Sequence, residues 1–350
     1  MQSSSLPLSV TLPASCAVSA RSAVFVAASA TVSAAGLVPA PTAVALLHFD
    51  DETAPAQRLA DAWNRNQAAA TGITLQPQLV QRHRFPDGEL KLRLPVDDTG
   101  RLPQRAVLLR SLHQPNEKLV ELLLAARTAR QLGVQHLTLV APYLAYMRQD
   151  LAFHPGEAVS QQVVGGFLAG LFDAVITVDP HLHRIDRLEQ AIPVPQAVAL
   201  SGAEPLADLI AQRSPNALLV GPDGESAQWI AQAAARHGFD HAVCTKVRHG
   251  DRHVAIELPP LNAQGRAVVL LDDMASTGRT LALAARLLLQ AGAASVDVAV
   301  THALFAGDAL QALHDAGVGE VWSTDCIPHP SNAVAMAGPL AAALRSVLAT

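Results

Sequence analysis

Asp272 and Asp273 stand side by side, and Ser276, Thr277, Gly278 and Thr280 follow within a few residues. Ionised carboxylates only accept hydrogen bonds, so the pair complements two neighbouring hydroxyls, such as those of a ribose, or a hydrated metal ion. The loop after them calls for an anion. Leu281, Ala284, Ala285 and Leu288 recur at helical spacing, which makes the loop the N-terminus of a helix. Unpaired amides there carry partial positive charge toward a phosphate, the hydroxyls add hydrogen bonds, and Gly278 permits close backbone approach. A sugar phosphate satisfies both halves. An ordinary helix cap would also use Asp, Ser or Thr, but it needs one such residue, and six polar or glycine positions converge here.

Five further stretches carry side chains of the same chemistry. FPDGE, from Phe85 to Glu89, puts an aromatic ring and two carboxylates on a segment that Pro86, Asp87 and Gly88 would make a plain hairpin turn in any case. In YMRQD, Arg148 can pair with phosphate oxygens or form a surface salt bridge. VDPHLH ends a strand with Asp179, His181 and His183, three candidate ligands for a metal or phosphate. GPDGES places Asp223 where it could bind a ligand or cap the following helix. TKVRHGDRH carries Lys246, Arg248 and Arg252 just after another strand, with His249 and His253 between them.

The elements that must position these residues alternate. Strands are expected at Val44 to Phe49, Gln78 to Arg84, Glu89 to Leu94, Ala106 to Leu109, Leu137 to Ala141 and Ala174 to Val178. A second series is expected near Leu218 to Val220, Ala242 to Thr245, Ala267 to Leu271, Val296 to Val300 and Val321 to Thr324. Helices are expected between them, the first over Ala54 to Ala70 and the last over Pro339 to Leu348. Such alternation predicts an α/β fold with mostly parallel sheets flanked by helices, and most of the candidate motifs fall at strand carboxyl ends, where ligands of open α/β folds bind. LLLAARTARQLGVQHLTLVA from Leu122 can be laid on LALAARLLLQAGAASVDVAV from Leu281, with a strand before and after each, so the fold reads as a duplication. Only the second copy carries the acidic pair and the glycine loop. The expected organisation is a disordered, low-complexity extension over residues 1–42 and two domains over 43–195 and 196–350.

Bulk composition narrows the class. Of 350 residues half are apolar, and 25 basic against 30 acidic side chains give a net charge of -5 without a basic run, which argues against a nucleic-acid partner. The three cysteines, Cys16, Cys244 and Cys326, are far apart, which argues against a disulfide framework or zinc site and fits a reducing compartment. No apolar run is long enough to predict a membrane span.

Taken in order, these motifs resemble those of the ribose-phosphate pyrophosphokinase family, also called phosphoribosyl pyrophosphate synthetases, from about Ala43 to Leu348. The resemblance implies two phosphoribosyltransferase-type domains, an ATP side and a ribose 5-phosphate side, with transfer of pyrophosphate from Mg-ATP to the anomeric hydroxyl of ribose 5-phosphate and release of AMP. LLDDMASTGRT is similar to the family's ribose 5-phosphate loop, here Asp272, Asp273, Ser276, Thr277, Gly278, Arg279 and Thr280. RFPDGEL resembles the loop that reaches an adjacent subunit's ATP, which gives Phe85, Asp87 and Glu89 an adenine role and implies a homo-oligomer, at least a dimer. YMRQD resembles the ATP-contacting pair Arg148 and Gln149. By the same resemblance His181 touches the metal-ATP, Asp223 binds Mg2+, and Lys246 and Arg248 are the basic pair of the catalytic loop. A cytoplasmic enzyme of nucleotide biosynthesis follows.

The chain departs from the family's pattern at several points. Leu151 and Ala152 stand where basic residues usually follow the RQD, and the short spacing to Gly156 and Glu157 resembles a branch with a short ATP loop. Arg279 occupies a usually small position, Ser276 stands where many members have Asp, and Pro180 follows Asp179. The lost charges admit a second reading, a noncatalytic, nucleotide-sensing relative that regulates a true synthetase. A phosphoribosyltransferase would use the same sugar loop but gives no reason for FPDGE, RQD or a duplicated half.

Overall fold

The computed structural model describes residues 42–249 and 253–349. Of the extension expected over residues 1–42, all but Thr42 lies outside them. The first half contributes β1 (Thr42–His48), β2 (Ile73–Leu79), β3 (Gln81–Arg84), β4 (Leu90–Arg93), β5 (Arg105–Leu109), β6 (His136–Ala141), β7 (Ala174–Val178) and β8 (Gln196–Leu200). The second contributes β9 (Leu218–Gly221), β10 (His241–Val243), β11 (Thr245–His249), β12 (His253–Glu257), β13 (Ala267–Ala275), β14 (Ser295–Ala303), β15 (Val321–Thr324) and β16 (Asn332–Val334). Two six-stranded parallel sheets result, ordered β2-β1-β5-β6-β7-β8 and β10-β9-β13-β14-β15-β16. Each carries an antiparallel hairpin, β3–β4 or β11–β12, at the same point of its sequence. The duplication expected from one helix and its flanking strands therefore extends through the whole topology.

Central strands read as continuous apolar runs because both of their faces are covered. Along β5, Ala106 and Leu108 point into one core and Val107 and Leu109 into the other. Along β13, Val268 and Leu270 face one side, Val269 and Leu271 the opposite one. Of the strands missed in the sequence, β8 and β16 lie at sheet edges and are incompletely buried, so they leave no such run. β2 is also an edge strand and tolerates Pro77; the strand expected over Gln78 to Arg84 is in fact the end of β2 and the start of the hairpin. The helix expected over Ala54 to Ala70 breaks at Gln67 into Thr53–Asn66 and a single turn, Ala68–Thr71, closed by Gly72 in the left-handed region.

The expected boundary at residues 195 and 196 does not separate the sheets, since β8 pairs with β7. More consequential is an exchange of helices. Helix Ala203–Arg213, which follows the last strand of the first sheet, buries Leu206 and Ile210 with Trp229, Leu219 and Leu271 of the second half. Helix Ala337–Leu348, which follows the last strand of the second sheet, buries Leu340, Leu344 and Val347 with Val44, Leu46 and Trp63 of the first. The described residues accordingly belong to one compact unit.

Polar contacts reinforce the junction at the carboxyl ends of the strands. Asp179, just after β7, is buried and accepts hydrogen bonds from Gly202 N (2.8 Å), Trp229 Nε1 (2.8 Å) and Thr301 Oγ1 (2.6 Å). His302 Nε2 lies 2.9 Å from the Val178 carbonyl, and Ser111 Oγ donates to the Cys326 carbonyl at 2.6 Å. Asp179, a candidate ligand in the sequence, is thus spent on joining the halves.

Candidate active site

The acidic pair follows the apolar run of β13 inside the strand, which continues through buried Met274 and Ala275, and the loop that follows opens helix Arg279–Gln290. Gly278 is the residue before the helix, with φ 67°, and no side chain caps the first turn. A Cβ added there would lie 3.1 Å from the Ala309 carbonyl oxygen, so glycine serves both the backbone conformation and the packing. The loop is pinned from the far side, where Phe305 N and Ala306 N donate to the carbonyls of Ala275 and Ser276, both at 2.9 Å.

Around this loop lies a cavity of about 140 Å³, lined by Asp272 to Leu281 together with Arg148, His181, Asp223, Glu225 and Lys246. Arg148 comes from the segment after β6, His181 from the segment after β7, Asp223 and Glu225 from the end of β9, and Lys246 from β11. Residues of the first half and of the second therefore face one space. The Lys246 ammonium is 3.6 Å from Asp223, and His181 Nδ1 is hydrogen-bonded to Asp273, which is 2% exposed. Asp223 also accepts from Glu225 N at 3.1 Å, so it caps the turn that starts the next helix while facing the cavity. Burial, then the Asp273 and Asp223 charges, push the Asp272 carboxyl well above the usual carboxylate range.

Other candidates fall elsewhere. Gln149 accepts from Ser160 Oγ at 2.7 Å and does not line the cavity. Phe85, Asp87 and Glu89 do not line it either. They form a hairpin turn in which Phe85 N donates to the Glu89 carbonyl (2.8 Å), Glu89 N donates to the Asp87 side chain (3.1 Å), and the Phe85 side chain is 40% exposed. Arg248 lies on β11 opposite Val254, but its side chain is outside the described part of the structure, as is residue Arg252 altogether. Glu225 went unassigned in the sequence, although its place two residues after Asp223 in GPDGES was an available signal; His183, a candidate ligand in the sequence, does not line this cavity.

A larger cavity, about 650 Å³, lies beside the β3–β4 hairpin. Its cations are already engaged: Arg110 bonds Asp51 at 2.7 Å and also Glu121, and Arg82 bonds Glu121 and Asp50, each at 2.5 Å. It offers a phosphate far less than the Asp272 cavity does.

Comparison with known proteins points the same way. Residues 59–170 match the family described as the N-terminal domain of ribose phosphate pyrophosphokinase, and residues 234–338 the phosphoribosyl synthetase-associated domain. The chain is 35% identical over 271 residues to a ribose-phosphate pyrophosphokinase of Methanopyrus kandleri, covering 77% of this chain and 90% of that one. It belongs to the ribose-phosphate pyrophosphokinase family. Ribose-phosphate pyrophosphokinase 1 of Archaeoglobus fulgidus is 36% identical over 264 residues, 75% of this chain and 89% of that one. The crystal structure of phosphoribosylpyrophosphate synthetase from Mycobacterium smegmatis has the same fold, with a TM-score of 0.70 at 23% identity over 87% of this chain and 98% of that chain. The two sheets with their helices are the two phosphoribosyltransferase-type domains of a pyrophosphokinase, and the cavity lies where their strand ends meet. No helix among the described residues is long and apolar enough to cross a membrane.

Proposed function

We propose that this chain transfers the β,γ-pyrophosphoryl group of Mg-ATP to the anomeric hydroxyl of ribose 5-phosphate, giving phosphoribosyl pyrophosphate and AMP. The observation that carries this reading is the single cavity onto which an acidic pair, an open helix N-terminus and cationic side chains from both halves converge. The 5-phosphate lies against Ser276, Thr277, Gly278, Arg279 and Thr280, as an anion at a helix N-terminus. Asp272, and the oxygen of Asp273 that His181 leaves free, accept the sugar hydroxyls. The anomeric oxygen attacks the β-phosphorus, the bond from that phosphorus to the α,β-bridging oxygen breaks, and AMP leaves with the electron pair. Charge collects on the nonbridging and leaving oxygens, so catalysis rests on positioning and cations. Lys246 and Arg248 supply the cations of the β11 loop, and Arg148 and Gln149 bind ATP.

The carboxylates of Asp223, Asp272 and Asp273, which face one cavity, fit a hard divalent cation. Asp223 and His181 are the residues that would hold Mg2+. When bound, the ion offsets the negative charge of the phosphates.

Phe85, Asp87 and Glu89 reach the adenine of an adjacent subunit's ATP, a reading supported by the exposed position of their hairpin away from this chain's own cavity. The active protein is then a homo-oligomer. Cytoplasmic residence is supported by Cys244 and Cys326, which are buried free thiols; burial pushes Cys244 up to about 11.

Purified protein supplied with ATP, Mg2+ and ribose 5-phosphate should release AMP and form the pyrophosphorylated sugar in equal amounts. Neither product would leave the nucleotide-sensing reading, which the exposed apolar Leu151 and Phe153 after Asp150 favour. Turnover only with a nucleobase and preformed product would point to a phosphoribosyltransferase. Lys246→Ala should lower kcat by roughly two orders of magnitude or more with modest change in ATP affinity, as for loss of a group that acts on transition-state charge; unchanged turnover would remove Lys246 from its role.

A further inference from the structure

His183 is not needed for the reaction above, yet it stands with His181 and Glu225 in a cluster of metal-ligand type. One ligating atom from each lies within 4.8 Å of the others. His183 Nδ1 is 3.4 Å from Glu225 Oε1, and His181 Nε2 is 3.8 Å from Glu225 Oε2. Two ligands bound tetrahedrally at about 2.0–2.2 Å stand roughly 3.4 Å apart, so small side-chain rotations bring all three atoms onto one ion. The two rings meet edge-on, with centroids 4.2 Å apart and an interplanar angle of 86°.

A second, separate observation concerns the tautomer of His181. Its Nδ1 faces the buried carboxylate of Asp273, an acceptor, so in the neutral ring Nδ1 carries the proton and Nε2 has the lone pair. This carboxylate–histidine arrangement is the one that fixes ring orientation and raises basicity in metal-ligating histidines. Donor chemistry then selects the ion. Two imidazoles and one carboxylate suit borderline transition ions such as Zn2+, Co2+ or Ni2+, whereas Mg2+ prefers an all-oxygen, strictly octahedral shell.

We propose that His181, His183 and Glu225 form a binding site for a divalent transition-metal ion, which shares His181 with the Mg2+ position but replaces Asp223 by His183 and Glu225. The site lies on the wall of the Asp272 cavity, because His181 and Glu225 line that cavity as well. An ion held there draws His181 Nε2 away from the metal-ATP and closes that wall. Transition metal bound there therefore inhibits the Mg2+-dependent reaction, a consequence that rests on the function proposed above, whereas the ion site itself does not.

The test is cobalt(II) absorption on the intact protein without nucleotide. Titration of the wild type with Co2+ should give one equivalent of visible absorption of the intensity typical of four- or five-coordinate nitrogen and oxygen ligation, and Mg2+ in large excess should leave it in place. His183→Ala should bind Co2+ at least about 10-fold more weakly, the loss expected even from removing an outer partner of a metal ligand. Its far-ultraviolet circular dichroism should match the wild type, since His183 lies on the surface. Only the weak spectrum of hexa-aqua cobalt, full displacement by Mg2+, or equal affinity in His183→Ala would each overturn the site. AMP release by the wild type in Mg2+ alone reports on the reaction independently, so a failed site and a failed reaction are told apart.

Discussion

Gly278 holds φ at 67° with the Ala309 carbonyl oxygen just beyond where a Cβ would sit, and the helix whose amides face the cavity begins directly after it. Gly278→Ala imposes the left-handed cost of an L-residue, about 1–2 kcal/mol, and displaces the start of that helix. The expected result is a rise of about tenfold or more in the KM for ribose 5-phosphate with the KM for ATP nearly unchanged; steady-state kinetics in both substrates checks it. The cavity residues of the second half were legible because their signal is local: two acids and a hydroxyl-rich loop lie within nine positions of one another. Asp179 shows the limit of such reading. In the sequence it is a plausible ligand beside two histidines, but its partners, Gly202, Trp229 and Thr301, come from remote segments that no spacing rule connects to it. Glu225 was hidden for a related reason, since its metal-type partners His181 and His183 belong to the other half of the chain.

Among the elements, burial on both faces decided what could be read. Central strands such as β5 and β13 are unbroken apolar runs, whereas β2, β8 and β16 lie at sheet edges with one neighbour each and leave little periodic signal. The strand expected over Ala242 to Thr245 ran β10 into the first residue of β11, because Cys244 alone separates two short strands of different sheets, and β12 was not anticipated. The last helix was visible from its apolar spacing, but not what it covers. Leu344 is fully buried among Val44, Leu46 and Trp63, so Leu344→Ala should destabilise the protein by about 2–5 kcal/mol, the range for buried leucine truncations. Denaturant unfolding measures this, and the loss should appear in tryptophan fluorescence from Trp63, a reporter of the first half, although Leu344 comes from the second half of the sequence.

For the whole molecule, duplication was legible from a matched helix and its flanking strands, but the exchange of terminal helices was not, because a helix shows which of its faces is apolar and not which sheet receives it. Opening the backbone in the exposed turn between Pro215 and Asn216 keeps both exchanges intact. The two fragments, produced separately, should each expose apolar surface and bind a hydrophobic dye, and on mixing should form a 1:1 complex with AMP-releasing activity. Two independently folded, non-associating fragments would show that the helices are dispensable. There is also a consequence for synthesis on the ribosome. The face of β1 that Leu340, Leu344 and Val347 cover stays bare until residues 337–348 have been made, well over a hundred residues after β8. At about 5–20 residues per second this delay is on the order of ten seconds. The nascent first half must therefore be shielded from aggregation for that interval, and chaperone dependence should centre on the amino-terminal sheet even though the helix that ends it is made last.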